Sequence, residues 1–493
     1  MDRRRFLLAG STAASLGALG LTRVGHADAA PTAAAAGPRP RPTPQQLRWQ
    51  RDELAMFVHL TVNTFTGKEW GDGTESPSIF NPRKLDARQW TRTAKQAGFR
   101  SMILTAKHHD GFCLWPTATT KHSVASSPWK NGHGDVVREF TDACRAEGLG
   151  AGVYLSPWDR NAKVYGSGEA YNDYYIAQLT ELLSNYGKIV EVWFDGANGE
   201  GPNGRKQAYD WPRIHATVRR LQPDAIMFSD AGPDVRWIGD EKGMAGETCW
   251  SSVDPASVPY PGYDRPWVGD LLAHGDPHGG AWRPGESDVS IRPGWFWHAE
   301  QNDQVRSPDN LMELYFSSVG RNSKLLLNVP PNRDGLFDPE DIAALRGFTA
   351  QRTQLFANNL LQGASVHASS GSSAHAVLDA NPDAHWSAAS AARNGWLEFE
   401  LPDAIAFDTL ALGEAVAHGQ GIANYRVEYW NNGAWQTLVW GTTIGHRKLA
   451  RFDPVRTRKL RLLLEFAYAT PRLAQVAAYR GPDRRYGPGH NEK

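Results

Sequence analysis

The chain has 493 residues and sets 53 lysines and arginines against 53 aspartates and glutamates. Two globular units are therefore expected, and net charge gives no pull toward nucleic acid or a membrane surface. Apolar residues make up 41% and aromatics 11% of the chain, which excludes wholesale disorder, and the 19 tryptophans suit both core packing and stacking on sugar rings.

Residues 1–29 read as a signal peptide. Arg3-Arg4 ahead of Arg5-Phe6-Leu7 forms a twin-arginine pattern, a short apolar run follows, and Ala27-Asp28-Ala29 has the small-residue form of a cleavage site. Export to the periplasm or beyond is expected, leaving a mature chain near −2 with no membrane attachment. Cys113, Cys144 and Cys249 lack metal-type or CxxC spacing. Folding before export would let them stay as buried thiols.

An Ala/Pro linker occupies 30–44. From 45 to 356 strand and helix patterns alternate. "AMFVHL" predicts a strand, and "DARQWTRTAKQAG" a helix with Asp86 as N-cap, Gln89 completing a capping box and Gly98 as the stop. "SMILTAKHHDGF" and "DVVREFTDACRAEG" repeat the pair, the helix burying Val136, Val137, Phe140, Ala143 and Cys144. "GAGVYLSPWDRN", "KIVEVWFDG", "AIMFSDAG", "GWFWHAE" and "SKLLLNVPP" predict further strands, and "PDNLMELYFSSVG" a helix. Successive strands end in polar residues: His59, then His108-His109-Asp110, then Tyr154 to Asp159, then Asp195. A closed (β/α)8-type barrel would bring these ends to one face. Residues 357–481 change to short strands and turns, with a hairpin expected at Asn431-Asn432-Gly433, so an all-β sandwich follows the barrel, and 482–493 form a tail.

Asp195 directly follows the apolar strand end Trp193-Phe194, and Gly196, Gly199 and Gly201 would let a ligand approach the backbone. A lone aspartate at a strand end more often caps a helix. Here His59, His108 and His109 on neighbouring strands would supply partners for hydroxyl groups. His108 and His109 are adjacent, and strand alternation would point them to opposite faces, which favours a sugar pocket over a metal site. Glycosidic hydrolysis needs two carboxyl groups, one as nucleophile or base and one as acid. Spacing alone does not choose the second among Glu200, Asp230, Glu241, Glu247 and Glu300.

Together, "FVHLTVNTF", "EWGDG", "LTAKHHDGFCLWPT", "GVYLSPWDR" and "EVWFDGA" resemble the family 29 α-L-fucosidases over roughly residues 45–355. The resemblance implies a retaining mechanism without metal or organic cofactor, Asp195 as nucleophile, and a fucose pocket at His59, Glu69, Trp70, His108, His109, Tyr154 and Trp193. The loop "WIGDEKGMAGETCW" is similar to the subgroup acting on α-1,3/1,4-linked fucose, which implies Glu241 as acid/base, with Glu247 second; Asp240 stands where that subgroup usually has Asn. Trp297 is a further pocket candidate, with core packing as its alternative. The C-terminal part resembles a discoidin-type (factor 5/8 C-type) module through "LDANPDAHW" and "WLEFELP", where Asp379 could either hold calcium or form a plain turn. The expected partner is a fucosylated oligosaccharide or glycoconjugate. The rival readings are a non-catalytic glycan-binding protein and a barrel glycosidase for another sugar.

Overall fold

The computed structural model describes residues 39–481; the expected signal peptide, most of the linker and the tail lie outside the described residues. Ten strands belong to the first part: β1 (Leu54–Val58), β2 (Ser101–Lys107), β3 (Gly150–Leu155), β4 (Glu191–Trp193), β5 (Ile226–Ser229), β6 (Val235–Trp237), β7 (Ser252–Val253), β8 (Ala281–Trp282), β9 (Gly285–Ser290) and β10 (Ser323–Asn328). Eight of them close a parallel barrel in the order β1-β10-β9-β6-β5-β4-β3-β2, while β7 and β8 pair as a separate antiparallel ribbon.

The helices form where capping and periodicity agree. Asp86 accepts from the Arg88 N–H at the start of helix Ala87–Gln96, and Asp135 accepts from the Arg138 N–H before helix Val136–Glu147. Val136, Val137, Phe140, Ala143 and Cys144 are buried as the spacing predicts. Gln89 does not complete a capping box. Its amide donates to the Phe337 carbonyl (2.9 Å) and accepts from the Phe337 N–H (3.0 Å), so a tertiary partner takes the side chain.

Two departures from the sequence pattern shape the barrel. "GWFWHAE" is not a strand but a turn-rich loop entering a short 3-10 helix, Ala299–Gln304, because its polar groups bind other loops. The strand at this place is β9, Gly-Glu-Ser-Asp-Val-Ser, fully buried yet polar. Its inward carboxylates accept from the Trp193 indole (Glu286, 3.1 Å) and the Trp237 indole (Asp288, 2.7 Å), so a run whose one large apolar residue is Val289 still fills the interior. Helix Pro44–Asp52 closes the floor through Trp49, which donates to Glu191 (3.0 Å) with the Lys324 ammonium 4.7 Å over its ring. Burial raises the Glu191 and Glu286 carboxyls.

The second part is an antiparallel β-sandwich of β11 (Ser365–Ala368), β12 (Trp386–Ser387), β13 (Gly395–Glu414), β14 (Ile422–Asn431), β15 (Ala434–Gly441), β16 (Lys448–Ala467) and β17 (Arg472–Tyr479). The strands run in the order β12-β17-β13-β16-β14-β15, with β11 on β13. Register shifts between Glu400 and Ile405 and between Phe407 and Thr409 interrupt the pairing of the twenty-residue β13 with β16. Asn432 and Gly433, at φ 50° and 82°, make the two-residue turn of the expected hairpin. Asp379 accepts from the Asn381 N–H and Asn381 from the Asp383 N–H, the pattern of a plain turn.

Barrel and sandwich share a packed boundary. Ala411, Leu449, Ala477 and Tyr479 join the barrel's outer core, and Glu53 accepts from Arg447 (3.0 Å) and the Tyr315 hydroxyl (2.8 Å). The three cysteines are buried and free. Among the described residues no helix is long and apolar enough to cross a membrane.

Candidate active site

Every barrel strand delivers a polar or aromatic side chain at or just past its C-terminal end: His59, His108 and His109, Ser156, Asp195, Asp230, Glu241, Trp295 and Asn328. This is the face where a parallel barrel gathers its variable loops.

Asp195 stands two residues beyond β4. Its Oδ1 accepts from the Ala197 N–H (2.6 Å), an Asx turn that fixes the carboxylate plane. Its Oδ2 accepts from the Tyr154 hydroxyl (3.1 Å) and lies 3.9 Å from His109 Nε2. The side chain keeps 14% of its surface exposed, enough for one face to meet a ligand. The three glycines behind it have another use than the sequence suggested. A Cβ on Gly196 would lie 2.6 Å from an Asp230 carboxylate oxygen, one on Gly199 would overlap the Trp158 indole, and one on Gly201 the Tyr165 ring. Protein, not ligand, fills those spaces.

The histidines converge from two strands. His59 Nδ1 is 2.9 Å from Asn328 Oδ1, and the Asn328 amide donates to Ser290 and to the Trp295 carbonyl, both at 2.9 Å. The ring proton is thereby assigned to Nδ1, leaving Nε2 as an acceptor. Burial pushes His59 down to about 3, against the opposing pull of Asn328 and Asp195, so the imidazole is neutral near pH 7. His109 Nδ1 donates to the Ser156 hydroxyl (2.7 Å), which itself donates to the Trp158 carbonyl. The expectation that His108 and His109 face opposite sides fails, because both lie past the end of β2, where alternation no longer holds. Their rings sit 4.1 Å apart, His108 beside Tyr154 and His109 beside Trp158.

Trp70 is 38% exposed and meets His109 and Trp158 edge-on, each at 5.7 Å. Glu69 accepts from the Trp295 N–H (2.7 Å), with His298 Nε2 2.8 Å away, which ties the loop after β1 to the loop after β9. Trp193 lies below the mouth, stacked on Phe228 at 4.4 Å and 9° and in edge contact with Tyr154. Trp297 donates to Asp338 (2.6 Å), whereas Trp295, two residues earlier, contacts His59 at 5.3 Å and directs its indole N–H toward Glu241 Oε2 at 3.4 Å.

The other acidic candidates occupy different surroundings. Glu247 is 82% exposed and pairs with Arg321 (2.9 Å) beside the sandwich. Glu300 is 78% exposed on its 3-10 helix, the Glu200 carbonyl accepts from the Trp158 indole, and Asp230 accepts from the Gly262 N–H (3.0 Å). Asp159, grouped with the mouth by sequence, is instead buried in an ion pair with Lys107 (2.9 Å). Sequence reasoning did not single out Trp295, Asn328, Ser156 or Trp158. Ser156 and Trp158 fall inside the polar run from Tyr154 to Asp159, whereas nothing in the sequence pattern marks Trp295 or Asn328.

The Alpha-L-fucosidase family profile matches residues 44–350, and the F5/8 type C domain profile matches residues 362–471. The chain is 44% identical to alpha-L-fucosidase 1 of Arabidopsis thaliana over 456 residues, covering 89% of this chain and 87% of that protein. It is similar to the crystal structure of SpGH29 (TM-score 0.84, 41% identity, 90% of this chain and 99% of that one). It is also similar to a Ruminococcus gnavus GH29 fucosidase solved in complex with fucose (TM-score 0.83, 33% identity, 91% and 97%). With a barrel whose strand ends meet around an aspartate, histidines and tryptophans, and with these matches along nearly its whole described length, the chain belongs to the α-L-fucosidases of glycoside hydrolase family 29 and carries a C-terminal F5/8 type C domain.

Proposed function

We propose that the protein is an exo-acting, retaining α-L-fucosidase that removes terminal α-1,3/1,4-linked L-fucose from branched oligosaccharides or glycoconjugates. The observation that carries this reading is Asp195, held by Tyr154 and the Ala197 N–H with one face open to the mouth. The Asp195 carboxylate attacks the anomeric carbon as the bond to the leaving oxygen breaks, and Glu241 passes its proton to that oxygen. Glu241 then takes a proton from water as the water oxygen attacks the same carbon, releasing fucose and freeing Asp195. Neutral His59, with His108, His109 and Glu69, holds the fucose hydroxyls, and Trp70 and Trp295 cover its apolar face. Glu241 is preferred over Glu247 because it meets a tryptophan of the mouth while Glu247 is engaged by Arg321.

Asp195→Ala is expected to lose nearly all turnover, with azide restoring release as the inverted fucosyl azide; ordinary turnover by this variant would sink the assignment. Glu241→Gln should lower kcat/KM on the glycan by a hundredfold or more, on the order of the larger effects of general acid catalysis, while sparing kcat/KM on α-L-fucosyl fluoride, whose leaving group needs no proton; kcat on the fluoride should still fall, because the second step keeps its need for a base. Glu247→Gln should slow neither. The linkage reading is tested by fucose release from a branched Lewis-type trisaccharide, 2′-fucosyllactose and an aryl fucoside: release mainly from the branched sugar supports it, and equal release from all three discards it. The proposed site of action is the periplasm or the exterior, supported by the twin-arginine pattern at Arg3-Arg4; folding in the cytoplasm before such export is compatible with the three buried free thiols. Recovery of the mature chain only from the cytoplasm would reject export.

A further inference from the structure

The chain between β7 and β8 carries a group of aromatics that the catalytic scheme does not use. Tyr260 is 49% and Trp267 47% exposed, both large apolar surfaces left in water. Tyr263 sits between them, its ring edge-on to Tyr260 at 5.4 Å and to Trp267 at 6.2 Å, with the Arg265 guanidinium 4.9 Å over its face. The three side chains thus form one aromatic ledge. Its underside is anchored, since Val258, Val268 and Leu272 pack with Ala231 beneath it.

The position of the ledge gives it meaning. Gly262, at φ +81°, presses so closely on the Gly196 carbonyl that a Cβ would collide with it, and its N–H donates to Asp230 (3.0 Å). Gly196 directly follows Asp195. At the other end a Cβ on Gly239 would lie 2.6 Å from the Gly269 carbonyl, and Gly239 precedes Glu241 by two residues. The segment therefore runs from the backbone beside Asp195 to the backbone beside Glu241. In a glycosidase with those roles, the leaving group departs next to the acid, on the side away from the pocket that encloses the fucose.

We propose that Tyr260, Tyr263 and Trp267 form the leaving-group subsite, stacking on the hexopyranose rings to which fucose is attached. The inference rests on the fucosidase reading and deepens it by naming what recognises the remainder of the glycan. The apolar face of a pyranose suits a flat exposed ring, and Arg265 and Asp264 beside the ledge provide a donor and an acceptor for ring hydroxyls. Binding energy gathered on the leaving group is used at the reacting bond, so the ledge raises turnover of branched glycans and not merely their retention.

The test compares kcat/KM on a branched fucosylated trisaccharide with kcat/KM on α-L-fucosyl fluoride, which has no ring to place on the ledge. Tyr260→Ala and Trp267→Ala should each lower the trisaccharide value roughly tenfold, the double variant more, with the fluoride value unchanged. Tyr260→Phe and Trp267→Phe keep a flat ring and should retain most trisaccharide activity, which separates stacking from a fold defect. Equal losses on both substrates, or no loss on the trisaccharide, would overturn the proposal. Wild-type enzyme that cleaves neither substrate would instead overturn the fucosidase reading and take the subsite with it.

Discussion

At the scale of single residues, the candidate nucleophile is prepared by its neighbours more than by its own position. The Tyr154 hydroxyl and the Ala197 N–H each satisfy one oxygen of Asp195, so the carboxylate meets substrate in a fixed orientation. Tyr154→Phe should lower kcat about ten- to a hundredfold, the equivalent of roughly 1.5–3 kcal/mol for a hydrogen bond to a charged group, and steady-state kinetics on an aryl fucoside would read it. Residues of this kind divide by how visible they are in sequence. Asp195, His59 and the His108-His109 pair stand out because a titratable group ending an apolar strand conflicts with burial and so asks for a reason. Asn328 and Trp295 do not, since an amide ending "LLLN" and one tryptophan among several look like ordinary packing. Only the fold shows that Asn328 sets the His59 tautomer and that Trp295, not Trp297, reaches Glu241.

At the scale of elements, the strand ends are held together by buried polar pairs. The Lys107 ammonium, at the end of β2, bonds Asp159 and the Gln178 amide oxygen, both at 2.9 Å, and Asp159 also accepts from the Asn161 and Ala162 N–H groups. This joins β2 to the loop after β3 and to helix Glu169–Asn185. Lys107→Met would leave Asp159 charged and uncompensated at 1% exposure, a loss of about 3–5 kcal/mol visible in urea denaturation; a change within error would refute the role given to the pair. Elements with strong periodicity and caps, such as helix Val136–Glu147, were legible in sequence. β9 was not, because its residues face a polar interior built from Glu286, Asp288 and two indoles, and no alternation of apolar and polar residues marks it.

At the scale of the whole molecule, titration of buried carboxyls gives stability a definite pH dependence. Burial pushes Asp110 and Glu414 up to about 7 and Asp341 up to about 6, against hydrogen bonds that pull each of them down. The folded chain therefore keeps protons that the unfolded chain has released, and stability from these groups falls as pH rises from about 4 to 7. Glu53 works in the opposite sense. Burial raises it, but Arg447, His446 and Tyr315 together hold it well below the usual carboxylate range, so its contribution is present above about pH 4.5 and lost in acid. The melting temperature should peak near pH 5 and decline toward pH 7, by scanning calorimetry at constant ionic strength; a steady rise from pH 5 to 7 would contradict the assignment. The fold class was legible from the alternation of strands and helices and from the change of texture near 357. The closeness of the join was not, since Glu53–Arg447 spans nearly the whole chain and leaves no local trace.

One part of that join reaches the chemistry. The loop that carries Glu241 continues into residues fastened to the sandwich: Lys448 donates to the Glu247 carbonyl (2.7 Å), the Cys249 N–H donates to the Thr443 hydroxyl (3.1 Å), and Gln420 bonds the Cys249 carbonyl and the Ser251 N–H. Along the chain the appended module looks interchangeable, a cassette that could be traded for another without touching the enzyme upstream. In space it is the far abutment of the arm from which Glu241, the proposed acid, is suspended. A chimera with a foreign sandwich would thus inherit altered leaving-group chemistry along with its new surface, and the two halves are heritable only as a matched set.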